Sequence, residues 1–205
     1  MKKIITLIIL LSATIASSTT NAQLRYGVTA GANFNDLKFS QDLIGVDSEI
    51  GYSAGVFSEL MFPGIGFGLD MGLMYTQRGA TLHLGDKPVW ATDGYCKERA
   101  YLHYIEIPIN LRFKFHRLNG FEDYCAPFLF AGPSFTILAG HSDIEALDYA
   151  GGEVGIQAGF GVELFKKWQI SASHNWGTTY ALKTKKLDDF SAKNRSWNIK
   201  VAYLF

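Results

Sequence analysis

From about residue 24 onward the chain alternates apolar and polar positions at period two, in eight successive blocks. The last block is the plainest. Trp197, Ile199, Val201, Tyr203 and Phe205 fall on one face, and Asn198, Lys200, Ala202 and Leu204 on the other, because successive side chains of a strand point to opposite sides. The same reading gives Tyr26, Val28, Ala30, Ala32 and Phe34 opposite Gly27, Thr29, Gly31 and Asn33, then Tyr52, Ala54, Val56, Leu60 and Phe62 opposite Ser53 and Glu59. Phe67, Leu69, Met71, Leu73 and Tyr75 oppose Asp70, Thr76 and Arg78. Tyr101, Ile105, Ile107, Ile109, Leu111, Phe113 and Phe115 oppose Glu106, Asn110, Arg112 and Lys114. Val154, Ile156, Ala158, Phe160, Val162 and Leu164 oppose Glu153, Gln157 and Glu163, and Trp168, Ile170, Ala172 and Trp176 oppose Gln169, Ser171, Ser173 and Asn175. The fifth block, about residues 126–138, is apolar on both faces, which leaves its orientation open.

The apolar faces carry aromatics at both ends: Tyr26 and Phe34, Tyr52 and Phe62, Phe67 and Tyr75, Tyr101 and Phe113, Trp168 and Trp176, Trp197 and Phe205. A soluble β-sandwich also alternates, but it has no need of aromatics at both ends of each outer face. A strand that crosses lipid does: it is apolar outward, aromatic at the two interfaces and polar inward. Eight residues at about 3.3 Å, tilted by roughly 40°, cover about 20 Å, close to the expected apolar band of about 25 Å. Connections alternate between short (Pro63-Gly64, residues 116–124, Lys166-Lys167) and longer (residues 35–49, 84–100, 139–152 and 181–194). Short turns inside and long loops outside, with both termini in the periplasm, predict an all-β fold, an eight-stranded antiparallel up-and-down transmembrane β-barrel. Residues 124–142 lack charge and have the length of a membrane helix, but Pro127 and Pro133 lie inside them. Interior prolines disfavour a helix, although Pro133 also costs a closed sheet a ladder bond.

Lys2 and Lys3, an apolar run from Ile4 to about Ala16 and a polar stretch closing on Thr20-Asn21-Ala22 read as a signal peptide over residues 1–22, too short to span a bilayer. Residues 23–205 then form one outer-membrane barrel domain. They carry 17 basic and 19 acidic side chains, a formal −2, so composition gives no reason to invoke nucleic acid. Two cysteines do not make a disulfide framework. Cys96 falls in an outer loop and Cys125 at the periplasmic end on this topology, too far apart for the roughly 7 Å that a bridge requires.

An eight-stranded barrel is just wide enough to be filled by side chains. Glu59, Asp70 and Glu163 point inward in the periplasmic half, as do Arg112, Lys114 and Lys200, with Glu106 also on the inner face. Three acids against three bases describe an internal ion-pair network that plugs the lumen, in preference to a gated polar path. A lipid-face Ser/His pair would suit an acyl-hydrolysing enzyme, but the adjacent Ser173 and His174 fall on opposite faces. His83 and His103, with Asp93 and Cys96 between them, match no standard ligand spacing. No catalytic residue, cofactor or metal is expected. Asp143, Glu145 and Asp148 in the third long loop suit either divalent cations or solvation alone. Lys183, Lys185, Lys186, Lys193 and Arg195 surround the fourth, where basic groups suit lipopolysaccharide phosphates and solvation alone explains them equally.

Five segments together resemble the PorT-like outer-membrane barrel family: residues 27–34 (GVTAGANF), 104–108 (YIEIP), 127–133 (PFLFAGP), 159–163 (GFGVE) and 203–205 (YLF). The resemblance spans essentially the whole mature chain. It implies a small barrel of a Gram-negative outer membrane, inserted by the barrel-assembly machinery through the C-terminal strand ending in Phe205, with outer-membrane lipid as its surroundings. The family offers no catalytic motif, and its namesake is associated with protein secretion. The residues themselves favour a non-enzymatic surface or scaffold barrel with interacting outer loops. An accessory role in secretion is implied by the resemblance, and a lipid-modifying enzyme is the third possibility.

Overall fold

Alternation at period two allows a sheet to present one apolar face to its surroundings only if the polar face is enclosed, and closure of the sheet achieves this. The computed structural model describes residues 23–39, 45–64, 66–83, 97–115, 120–142, 147–184 and 191–205. Its strands are β1 (Gln23–Phe39), β2 (Val46–Met61), β3 (Phe67–His83), β4 (Lys97–Lys114), β5 (Cys125–His141), β6 (Leu147–Tyr149), β7 (Gly152–Leu164), β8 (Trp168–Gly177), β9 (Leu182–Thr184) and β10 (Ser191–Leu204). The eight long strands pair antiparallel in the order β1-β2-β3-β4-β5-β7-β8-β10. Residues 27–39 of β1 then pair with residues 204–192 of β10 and close the barrel. The short β6 and β9 pair with each other, and β9 also joins the outer end of β10. The proposed signal segment, residues 1–22, lies outside the described residues.

The undecided fifth strand acquires its orientation from closure. Ala126, Phe128, Ser134 and Thr136 are buried in the lumen, while Leu129, Phe135 and Ile137 are exposed on the outer wall. Pro133 is tolerated by a local break in the ladder to β4. The β4–β5 register runs through Pro108↔Ser134 and resumes at Leu111↔Ala131, skipping the positions where Pro133 would face Ile109. Between β3 and β4 it likewise jumps from Met71↔Ile109 to Met74↔Glu106, beside Pro108. A proline has no N–H to give to the ladder, so each gap falls where a bond is missing in any case.

Several strands run farther from the terminal end than the alternation predicts, reaching Phe39, Val46, Lys97, His141 and Ser191. At the opposite end the connections tighten. Phe165 and Lys166 both adopt positive φ, 52° and 60°, and the Lys167 N–H donates to the Leu164 carbonyl at 3.1 Å. Three residues, 165–167, join the paired Leu164 and Trp168, and the two left-handed residues at the centre of this tight turn reverse the chain. Neither residue suits the left-handed region, which costs an ordinary L-residue about 1–2 kcal/mol. Lys166→Gly is therefore expected to raise the unfolding free energy by about 1 kcal/mol, measured by urea titration in lipid vesicles. The exposed Lys166–Asp123 ion pair lost in the exchange is worth less than the relief of strain.

Candidate functional site

The lumen at the terminal end is built from inward positions of six strands, which period two and closure bring to one level. Glu59 of β2 is its centre. Its Oε1 accepts from Arg25 Nη2 and Lys114 Nζ, both at 2.6 Å. Its Oε2 accepts from Arg112 Nη1 at 2.9 Å and Gln169 Nε2 at 2.8 Å. Glu163 accepts from Arg25 at 2.6 Å, Lys114 at 2.7 Å and Gln169 at 2.9 Å. Arg112 Nε donates to Asp70 Oδ2 at 2.6 Å, and the guanidinium lies 4.0 Å from the centre of the Phe128 ring. Three carboxylates thus meet three cations. A buried charge is tolerable only when paired and hydrogen-bonded, and Glu59 has a donor for each of four lone-pair directions.

The third cation is Arg25, which the pattern reading passed over, and Lys200 stands elsewhere. The Lys200 Nζ donates to Met74 Sδ at 3.6 Å, and among the described residues no carboxylate forms an ion pair with it. It borders a cavity of ≈ 70 Å³ in the middle of the barrel, lined also by Asp70, Asn110, Arg112, Gln157 and Ser171. The expectation that Lys200 pairs with an inward acid of the terminal cluster is thereby corrected. Lys200 belongs to β10 at the level of Gly31 and Ser171, one step of the inner face beyond Gln169. Arg25 shares the inward parity of Gly27 and Thr29, so its place was available in the alternation.

Beyond the cavity a second polar layer crosses the lumen. Glu106 accepts from Arg78 Nη2 at 2.7 Å and Thr76 Oγ1 at 3.1 Å. Asn194 Nδ2 donates to Glu153 at 2.6 Å and to the Tyr104 hydroxyl at 3.3 Å. Beyond this layer the inner face turns apolar. Leu37, Ala80, Leu82, Ala100, Leu102, Tyr104, Leu182 and Ala192 form one buried cluster, each at most 2% exposed. The β6–β9 pairing brings Leu182 into it, opposite Tyr149. The lumen is therefore occupied in three layers: the terminal ionic cluster, a middle layer that joins the Arg78–Glu106 ion pair to neutral polar groups, and the apolar cluster.

The aromatic belt residues stand on the outer wall. Tyr26, Phe34, Tyr52, Phe62, Phe67, Tyr75, Trp168, Trp176, Trp197 and Phe205 are exposed, and Tyr101 and Phe113 are half-buried. Ser173 is buried inside, whereas His174 lies on the lipid face between the rings of Trp176 and Trp197, with centroids 4.5 and 4.6 Å away. A hydrolytic pair is not assembled there. His83 contacts Asp47 at 2.8 Å and His103 contacts the Tyr75 hydroxyl at 2.6 Å. The two histidines do not approach each other across the hairpin, since His83 pairs with Lys97 and His103 with Gln77. Among the described residues no cluster of three metal-ligating side chains occurs. Cys125 is a free thiol. Asp93, Cys96, Asp143, Glu145, Lys185 and Lys186 lie outside the described residues, whereas Asp148 and Lys183 are register partners in β6 and β9.

A family model described as an outer membrane protein beta-barrel domain matches residues 16–181. Among solved structures, the chain is similar to the outer membrane protein OprG from Pseudomonas aeruginosa, at 11% identity and a TM-score of 0.53, covering 91% of this chain and 98% of that one. It is also similar to the attachment invasion locus protein Ail of Yersinia pestis, at 14% identity and a TM-score of 0.49, covering 88% and 98%. A third similarity is to the outer membrane enzyme PagL, at 12% identity and a TM-score of 0.46, covering 85% and 97%. Comparison with curated protein sequences gives no match. At such identities the OprG likeness speaks for the fold alone.

Proposed function

The chain belongs to the outer membrane protein beta-barrel domain family, and from that membership we propose that it is a closed, non-enzymatic surface barrel of the outer membrane. It seals its own lumen and presents a built rim on the side of the long connections. The observation that carries this reading is the three-layer filling of the lumen, above all the apolar cluster around Leu37, Leu82, Leu102 and Leu182. Water and ions have no reason to cross an apolar plug that outlasts the membrane-spanning part of the wall. The purified protein in planar bilayers is expected to give no unitary conductance steps. Stable steps would overturn the closed-lumen reading.

A second reading is an accessory role in protein secretion, favoured by the segments at residues 104–108 and 127–133 that resemble PorT-like barrels. Loss of one class of secreted proteins from a deletion strain, measured by proteomics, would favour it over a purely structural role. A lipid-modifying activity has less support, because Ser173 and His174 occupy opposite faces of β8. Unchanged lipid A mass spectra in that deletion strain are the expected result.

A further inference from the structure

On the outer wall, beyond the aromatic belt, a charge pattern remains that the closed lumen does not use. Lys38 of β1 and Lys193 of β10 are register partners, and both are exposed. Like charges directly opposite across a strand pair repel, so an isolated barrel gains nothing from this arrangement. Two residues nearer the membrane on the same face, Arg195 stands opposite Asp36 in β1 and Trp176 in β8. Among the described residues, neither lysine nor Arg195 forms an ion pair, and Asp36 is the one carboxylate in this group of four.

The position is as informative as the charge. Phe34 and Trp197 are register partners at the belt, so Arg195 and the lysine pair lie about 5 and 10 Å farther out at roughly 3.3 Å per tilted residue. The headgroup layer occupies about 5–8 Å beyond the hydrocarbon. The cations therefore bracket the depth at which lipid phosphates sit. An arginine offers a planar fork of donors to a phosphate, and lysines add mobile point charges.

We propose that this face of β1 and β10 binds a phosphorylated lipid of the outer leaflet. Lys38, Lys193 and Arg195 hold its phosphate, and Phe34 and Trp197 pack against its acyl chains. An anion between the two lysines converts their repulsion into a shared attraction. The site rests on the outer-membrane placement and the outward long connections. It does not rest on the closed lumen, so conductance steps would overturn that reading and leave this one standing.

The test uses the full protein, refolded in detergent, with a phosphorylated lipid A-type glycolipid and its dephosphorylated counterpart. Retained lipid is counted by native mass spectrometry. The phosphorylated lipid is expected to be retained preferentially, and Lys38→Gln combined with Lys193→Gln is expected to reduce retention by about thirtyfold. Asp36→Asn removes the local carboxylate and is expected to increase retention, which keeps the test decisive if the double variant fails a heat-modifiable gel shift. Equal retention of both lipids, or retention insensitive to these substitutions, would overturn the proposal. Complete displacement by excess inorganic phosphate would assign the cluster to free phosphate and overturn it equally.

Discussion

Replacing Glu59 with glutamine is expected to lower the unfolding free energy by about 3–5 kcal/mol, the usual cost of breaking a buried ion pair from one side. Glu59 is fully buried and receives four donors, three of them cationic. The substitution keeps the shape and leaves Arg25, Arg112 and Lys114 facing only Asp70 and Glu163. The cost arises from cations left without their counter-charge in a lumen where little water can reach them. Arg25 contributes least to it, because about a fifth of its side chain is exposed and solvent screens its share. Asp123→Asn provides the internal comparison. It breaks only the Lys166 ion pair, in which both partners are more than half exposed, and is expected to cost less than about 1 kcal/mol. Urea titrations in lipid vesicles that gave the two variants equal stability would mean that the ionic layer does not hold the barrel.

Val201→Lys is expected to destabilise by about 2–4 kcal/mol, the cost of a lysine on the lipid face near mid-membrane. Val201 lies between Trp197 and Phe205 on the outward face, opposite Ala30 in β1 and Ile170 in β8. Its chain neighbour Lys200 faces the lumen and donates to Met74 sulfur at 3.6 Å, and among the described residues no carboxylate forms an ion pair with it. Lys200→Met is accordingly expected to change stability by no more than about 1 kcal/mol, the net worth of a single hydrogen bond. Two adjacent positions with opposite responses would follow from strand geometry alone. A neutral Val201→Lys would mean that the faces of β10 are assigned the wrong way round.

The faces of seven strands were legible because the lipid and the lumen demand opposite chemistry at alternate residues. The run from Trp197 to Phe205 needs no tertiary information to be read. The same alternation continues past the belts, and there its meaning changes. Leu37 follows Asn33 and Asn35 on the inner parity of β1, and Leu82 follows Thr76 and Arg78 on that of β3. An inner face turning from polar to apolar was a usable signal for the outer plug, but a pattern judged only over the membrane span stops before it. The fifth strand gave no such signal, since Phe128 and Phe130 inside and Leu129 and Phe135 outside are equally apolar.

Period two thus determines, from the chain itself, which side of the wall each residue occupies and where the membrane interfaces fall. It says nothing about height around the circumference. That depends on the stagger between strands, a property of closure to which every strand pair contributes. The register alone brings Arg25 to Glu59 and Glu163, places Lys200 beside Met74, sets Lys38 opposite Lys193, and keeps His83 away from His103. Side is a local consequence of backbone pleating; partnership across the lumen belongs to the closed barrel.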